Sequence, residues 1–147
     1  MTKRMAVALV ALVGLFVSAY LLLYKLGYIG TLACGTGSCE TVQASRWATL
    51  LGLPVAAWGL GFYVSVLALS LIGTQDRYAE SRSLSLALVA VTGSGVVFSS
   101  WLSYLEEFVI GAWCRWCIVS AVLTMILFVL SLLDWRELGR DALSAER

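Results

Sequence analysis

Four long apolar stretches set the strongest limit on how this chain can fold. They cover about residues 5–26, 54–73, 83–105 and 113–133, and each is close to the roughly 20 residues that an α-helix needs to cross a bilayer. The chain is 61% hydrophobic and 13% charged, which is too apolar for an ordinary soluble domain. We therefore predict an all-α integral membrane protein, in which residues 1–147 form a single four-transmembrane-helix bundle.

The segments between the apolar stretches are short except for the first, residues 27–53. We predict that this segment is an outer loop, and its several glycines indicate a flexible backbone. Residues 40–51 contain neither glycine nor proline, and we expect a short amphipathic helix there, lying on the membrane surface. Pro54 stands at the start of the second span, a position that tolerates its missing N–H. Residues 134–147 form a polar tail.

The distribution of positive charge predicts the orientation. Four spans place both termini on one side, and seven of the ten Lys and Arg residues lie on that side. Because cytoplasmic segments carry the excess of positive charge, we expect both termini of a multi-pass inner or plasma membrane protein to be cytoplasmic. The four cysteines then all lie on the outer, periplasmic side, where disulfide chemistry is favoured. The net charge of +1 gives no indication of a nucleic-acid partner.

The cysteines form two pairs with different surroundings. Cys114 and Cys117 are separated by two residues and open the fourth span, and a helix N-terminus stabilises a thiolate there. Cys34 and Cys39 lie in the outer loop, where two of the four residues between them are glycines that allow the sulfurs to meet. One pair is thus fixed at a helix start and the other is mobile, which favours an electron relay between them.

The spacing also suggests an order for that relay. Cys117 is the deeper thiol of its pair and is placed to meet a membrane-soluble oxidant, while Cys114 faces the loop. Cys39 borders the expected surface helix and is the better placed to reach Cys114, and Cys34 is the better candidate for exchange with a partner protein. Two alternatives stay open: two static structural disulfides, and a four-cysteine zinc site, whose spacings suit zinc. The chain has no histidine, so histidine-based acid–base catalysis is excluded.

Four segments resemble the vitamin K epoxide reductase family in its bacterial form. They are Cys39 to Trp47 after the loop pair, Gly52 to Gly59 at the second span, Phe98 to Tyr104 in the third span, and Ala112 to Ser120 around the Cys-x-x-Cys motif. The resemblance covers nearly the whole chain. The order of the two cysteine pairs differs from that of the bacterial DsbB type, in which the Cys-x-x-Cys pair comes first.

The resemblance implies a four-helix bundle around a quinone site, capped by the surface helix. It implies that Cys117 contacts a quinone, either ubiquinone or menaquinone, that Cys114 exchanges with Cys39, and that Cys34 engages a thioredoxin-fold (DsbA-like) protein on the outer side. Ser45 matches a family position that supports the loop near the active site. Some bacterial members carry a fused thioredoxin-like domain; we expect this chain to lack one and its partner to be a separate protein.

The function predicted is a membrane thiol oxidoreductase that supports disulfide bond formation in exported proteins. Candidates for the quinone pocket are aromatic residues near the outer ends of the spans, since aromatic and apolar walls suit a flat ring: Trp58, Phe62, Phe98, Trp101 and Trp116. Glu106 and Glu107 are near enough to supply protons, although a solvated loop is the more common interpretation of such a pair. No metal ligand is predicted.

Departures from the vertebrate enzymes bear on the substrate. Those enzymes have a tyrosine four residues after the second redox cysteine, where this chain has Ala121, and they use an asparagine to contact vitamin K, whereas this chain has no asparagine. Reduction of vitamin K epoxide or of a quinone substrate by electrons running outward is therefore the alternative function rather than the predicted one.

Overall fold

The computed structural model describes residues 2–28, 44, 46, 49–78, 81–111 and 115–146. Within these residues the elements, in chain order, are α1 (Thr2–Lys25), β1 (Thr49–Leu50), β2 (Leu53–Pro54), α2 (Val55–Gly73), α3 (Arg82–Leu105), a π-helical turn (Glu106–Ile110) and α4 (Arg115–Ala145). Four helices in this part of the chain are long and apolar enough to cross a membrane. The prediction of an all-α, four-helix membrane fold is confirmed.

Local sequence accounts for where two of the helices begin. Ser81 precedes α3 in an extended conformation, and its side chain accepts a hydrogen bond from the backbone N–H of Leu84 at 3.3 Å, as an N-cap serine does. Pro54 is the last residue of β2 and directly precedes α2, with a φ of −57°. Proline already has the φ of a helix and needs no hydrogen-bond acceptor, so it suits this boundary.

A short hairpin, rather than helix, precedes α2. Thr49 and Leu50 pair with Pro54 and Leu53 in antiparallel register, and the two turn residues, Leu51 and Gly52, have φ values of 54° and 82°. Positive φ at both turn residues matches the twist of paired strands and tightens the connection. The prediction of a surface helix over residues 40–51 is therefore wrong for Thr49, Leu50 and Leu51. Ala44 is helical, but most of residues 40–48 lie outside the described part of the chain.

The helices pack around two buried clusters that lie one above the other along the bundle. One cluster contains Val7, Ala11, Tyr63, Val66, Leu88 and Leu127 and draws on all four helices. The other, which we call the upper cluster, contains Val17, Leu21 and Ala56, with Trp116 and Cys117 of α4 packed against it. Large apolar side chains such as Phe16 and Val97 are exposed on the outer surface, as expected for helices that face lipid.

A polar cluster closes the end of the bundle opposite Cys117. Arg4 is buried, and its guanidinium donates to Asp134 at 3.1 Å and to the backbone carbonyls of Gly73, Tyr78 and Ser81 at 2.8–3.2 Å. Asp134 belongs to the fourth helix, which continues beyond residue 133, the predicted end of its span, and ends at Ala145. Because Lys3 also pairs with Glu137, the start of α1 and the last turns of α4 lie at the same end of the bundle.

Candidate functional site

A cavity of about 380 Å³ lies between the four helices in the half of the bundle that contains Cys117. All four helices, the π-helical turn and the β1 hairpin contribute to its wall. Its lining is mostly apolar and aromatic, with hydroxyl groups and one carboxyl between the apolar patches. A volume of a few hundred Å³ with apolar walls and a few polar groups is typical of a small-molecule site (~300–1,000 Å³).

Cys117 is the predicted redox residue that the structure describes. It lies in the first turn of α4, is half-buried, packs against the upper cluster on one side and lines the cavity on the other. A thiol in this place can reach a molecule inside the cavity. Cys34, Cys39 and Cys114, and with them the predicted exchange between the pairs, lie outside the described residues, as does Ser45.

Three of the five predicted aromatic residues line the cavity: Trp58, Phe62 and Phe98. Trp58 Nε1 donates to the carbonyl of Leu50 at 3.0 Å, and this bond ties the β1 hairpin to α2 beside the cavity. Phe62 reaches across to α3, where a Cβ atom at Gly95 would lie 2.5 Å from its ring. Only glycine leaves room for this ring, so Gly95 lets an aromatic side chain of α2 pack directly against the backbone of α3.

The other two predicted aromatic residues are not in the lining. Trp101 is exposed on α3, with its ring centroid 5.8 Å from that of Phe98. Trp116 packs beside Tyr20 of α1 with a centroid distance of 5.4 Å and an interplanar angle of 62°. On α4, Trp116 precedes Cys117 by one residue, which is a rotation of about 100°. The two tryptophans therefore adjoin the cavity wall from outside.

Hydroxyl groups in the lining were missed by the sequence prediction. The hydroxyl of Tyr63 lies 2.9 Å from the carbonyl oxygen of Ser120, 2.8 Å from Ser120 Oγ and 3.2 Å from Thr124 Oγ1. This cluster fixes α2 to α4 one turn below Cys117. Ser18, Ser94, Ser99 and Ser103 add further hydroxyls. Their only sequence signal is their occurrence inside apolar runs, and there serine and threonine more often bond to their own helix.

Glu106 is the acidic residue of the cavity wall. The residue is 4% exposed and lines the cavity, whereas the neighbouring Glu107 is exposed. The chain does not leave α3 as a loop at this point, because Glu106–Ile110 continues the helix as a π-helical turn. Gly111 ends the turn with a φ of 73°, and its N–H donates to the carbonyl of Glu106 at 3.0 Å. The solvated-loop interpretation of this glutamate pair is wrong for Glu106.

The position of Ala121 explains the space beside Cys117. Ala121 follows Cys117 by four residues, one helical turn, and lines the cavity with it. A large side chain at this position would occupy the volume that the methyl group leaves open. The departure from the vertebrate sequences noted above therefore falls inside the cavity.

The fold and the cavity define a class of protein: a multi-pass membrane bundle with a cysteine in the wall of an apolar cavity between the helices. The family model described as "Vitamin K epoxide reductase family" matches residues 5–132 of the chain, which is nearly all of it. The chain belongs to this family. Membership indicates an oxidoreductase that works in the membrane, in a family that is linked to quinones in general.

Proposed function

We propose that this protein is a quinone-dependent thiol oxidoreductase that supports disulfide bond formation. A reduced dithiol of a thioredoxin-fold protein exchanges with the Cys34–Cys39 disulfide. The loop dithiol, through Cys39, then exchanges with Cys114, and the Cys114–Cys117 pair passes two electrons to a membrane quinone. Two thiols become one disulfide at each transfer, and the quinone leaves as quinol.

The observation that carries this proposal is the position of Cys117 in the wall of the cavity. A quinone head group is flat and largely apolar, with two carbonyl oxygens, and it suits a site with aromatic walls and a few hydrogen-bond donors. Trp58, Phe62 and Phe98 supply aromatic surface. The hydroxyls of Ser18, Ser99 and Ser103 supply donors, whereas that of Ser94 donates to the Val91 carbonyl. A static disulfide would need no such space beside its sulfur, so the cavity favours chemistry on a small molecule over the structural alternative.

The orientation of the relay follows from charge. The basic residues Lys3, Arg4, Arg77 and Arg82 lie at the end of the bundle opposite Cys117. If that end is cytoplasmic, as the excess of positive charge predicts, Cys117 lies toward the outer face. The partner dithiol would then approach from the oxidising compartment, where disulfides persist.

The proposal is tested with purified protein in lipid nanodiscs. Reduced thioredoxin serves as the thiol donor, a short-chain ubiquinone or menaquinone as the acceptor, and quinone absorbance is followed without oxygen. The wild type is expected to consume quinone, Cys117→Ser to consume none, and Ile118→Ala to match the wild type. Ile118 is the matched control, because it follows Cys117 in α4 and is exposed outside the cavity lining.

Two results would contradict the proposal. Absence of quinone consumption by the wild type would exclude a quinone acceptor, and loss of an added vitamin K epoxide instead would favour the outward-running reductase. Consumption by Cys117→Ser at the wild-type rate, together with lower thermal stability, would favour static disulfides.

A further inference from the structure

We propose that Glu106 is a catalytic acid, whose carboxyl gives a proton to a quinone oxygen in the cavity. The inference rests on the proposed function and deepens it. Glu106 joins two features that the electron relay does not use: a buried carboxyl in the cavity wall and the π-helical turn that begins at this residue.

The helical periodicity of α3 places Glu106 in the cavity wall. The lining residues of α3 and its continuation are Ser94, Gly95, Phe98, Ser99, Leu102, Ser103 and Glu106. They form one stripe, two residues wide, that recurs every fourth residue, and Glu106 continues this stripe. Glu107 lies about 100° further round the helix and is exposed. Two adjacent residues of the same chemistry therefore face different surroundings.

The reaction needs a group that handles protons at the quinone. Reduction of a quinone to a quinol takes up two electrons and two protons, and oxidation of the Cys114 and Cys117 thiols to a disulfide releases the same number of each. The electrons pass through sulfur, but each proton must reach a quinone oxygen. A carboxyl can give its proton to that oxygen and take back one that the thiols release, so it ends the cycle unchanged.

Other groups in the described part of the lining are less suited to this step. Its titratable side chains are Tyr63, Glu106 and Cys117. The Tyr63 hydroxyl lies within hydrogen-bond distance of the Ser120 carbonyl and of the hydroxyls of Ser120 and Thr124, and a phenol is a much weaker acid than a carboxyl. Cys117 supplies electrons. Glu106 is the one carboxyl there, and it begins a π-helical turn, a feature frequent at functional sites.

The test separates the two half-reactions in Glu106→Gln, with Glu107→Gln as the matched control. Protein reduced in advance is mixed with a short-chain quinone in one turnover, and quinone absorbance gives the rate of the second half-reaction. Thiol alkylation after mixing oxidised protein with reduced thioredoxin gives the rate of the first. Glu106→Gln is expected to slow quinone reduction on the order of 100-fold, with thiol exchange within about twofold of the wild type, while Glu107→Gln changes neither rate by more than about twofold.

A second variant, Glu106→Leu, and a measurement of quinone binding complete the test. Glu106→Leu removes the carboxyl without burying an amide, so it serves as the test variant if Glu106→Gln does not fold. The same loss of quinone reduction is expected. Quenching of tryptophan fluorescence by the quinone is expected to show binding close to that of the wild type. Quinone reduction by either Glu106 variant at the Glu107→Gln rate, or an equal loss of both half-reactions, would overturn the role of Glu106. If the wild type itself reduces no quinone, it is the proposed function that fails.

Discussion

Removal of the Arg4 side chain should destabilise the bundle far more than removal of its neighbour Lys3. Arg4→Met takes away the cation that pairs with Asp134 and the donor to three backbone carbonyls. Asp134 is 7% exposed and would keep only the hydrogen bond from Ser85 Oγ at 2.8 Å. Breaking a buried ion pair from one side costs about 3–5 kcal/mol. Since each ~1.4 kcal/mol is tenfold, the unfolding equilibrium should shift by about two to three and a half orders of magnitude.

The assay is unfolding in mixed micelles by titration with a denaturing detergent, followed by tryptophan fluorescence. Lys3→Met is the control, because Lys3 forms an exposed ion pair with Glu137, and such pairs contribute only about 0–1 kcal/mol. The double variant Arg4→Met with Asp134→Leu should be more stable than Arg4→Met alone, since no carboxylate is left without its cation. It should stay below the wild type by about 1–3 kcal/mol, because the carbonyl of Gly73 loses its donor, whereas those of Tyr78 and Ser81 keep a backbone N–H donor. Equal stability of Arg4→Met and Lys3→Met would refute this reasoning.

Further predictions concern the cavity. Ala121→Phe should fill the space beside Cys117 and lower the rate of quinone reduction at least about tenfold in the absorbance assay, with thiol exchange retained. An unchanged rate of quinone reduction would place the quinone outside this cavity. Gly95→Ala should lower the free energy of unfolding by about 1–3 kcal/mol, the usual cost of overpacking, because its Cβ would lie 2.5 Å from the Phe62 ring. A thermal melt in detergent measures the change. Stability equal to the wild type would contradict the close packing of Phe62 against Gly95. Tyr63→Phe should cost about 0.5–1.5 kcal/mol in the same melt, since the Tyr63 hydroxyl bonds are lost while Thr124 Oγ1 keeps its bond to the Ser120 carbonyl. No loss would show that these hydrogen bonds contribute little.

The transmembrane helices could be predicted because the bilayer imposes a length and an apolar composition that the sequence displays directly. The end of the fourth helix could not, since Asp134 looks like the start of a polar tail. Tertiary contacts with Arg4, 130 residues earlier, and with Ser85 of α3 accompany the burial of Asp134 within the helix. Prediction from local hydropathy has no access to a partner so distant in sequence.

In the site, too, some residues could be predicted from local sequence and others depend on the tertiary structure. Cys117 could be identified from its spacing to Cys114 and its place at the start of an apolar run. The depth of an aromatic residue in its span predicts whether it lies near the level of the pocket. Depth does not specify the direction of the side chain around the helix axis. Trp58 lines the cavity while Trp101 and Trp116 do not, because each residue adds about 100° of rotation. Glu106 was equally ambiguous, since two adjacent glutamates after an apolar run look like the start of a loop, whereas the helix continues through them as a π-helical turn.

The proposed function requires that a quinone occupies the cavity beside Cys117. Photo-crosslinking tests this most directly: a short-chain quinone that carries an azido group on its ring is bound to the protein in nanodiscs, illuminated, and mapped by peptide mass spectrometry. We predict labels on lining residues of α2 and α4 near Cys117, which disappear when unlabelled quinone is added in excess and when Ala121→Phe fills the cavity. Labels confined to the lipid-facing surface, or labels that excess quinone does not displace, would contradict the account.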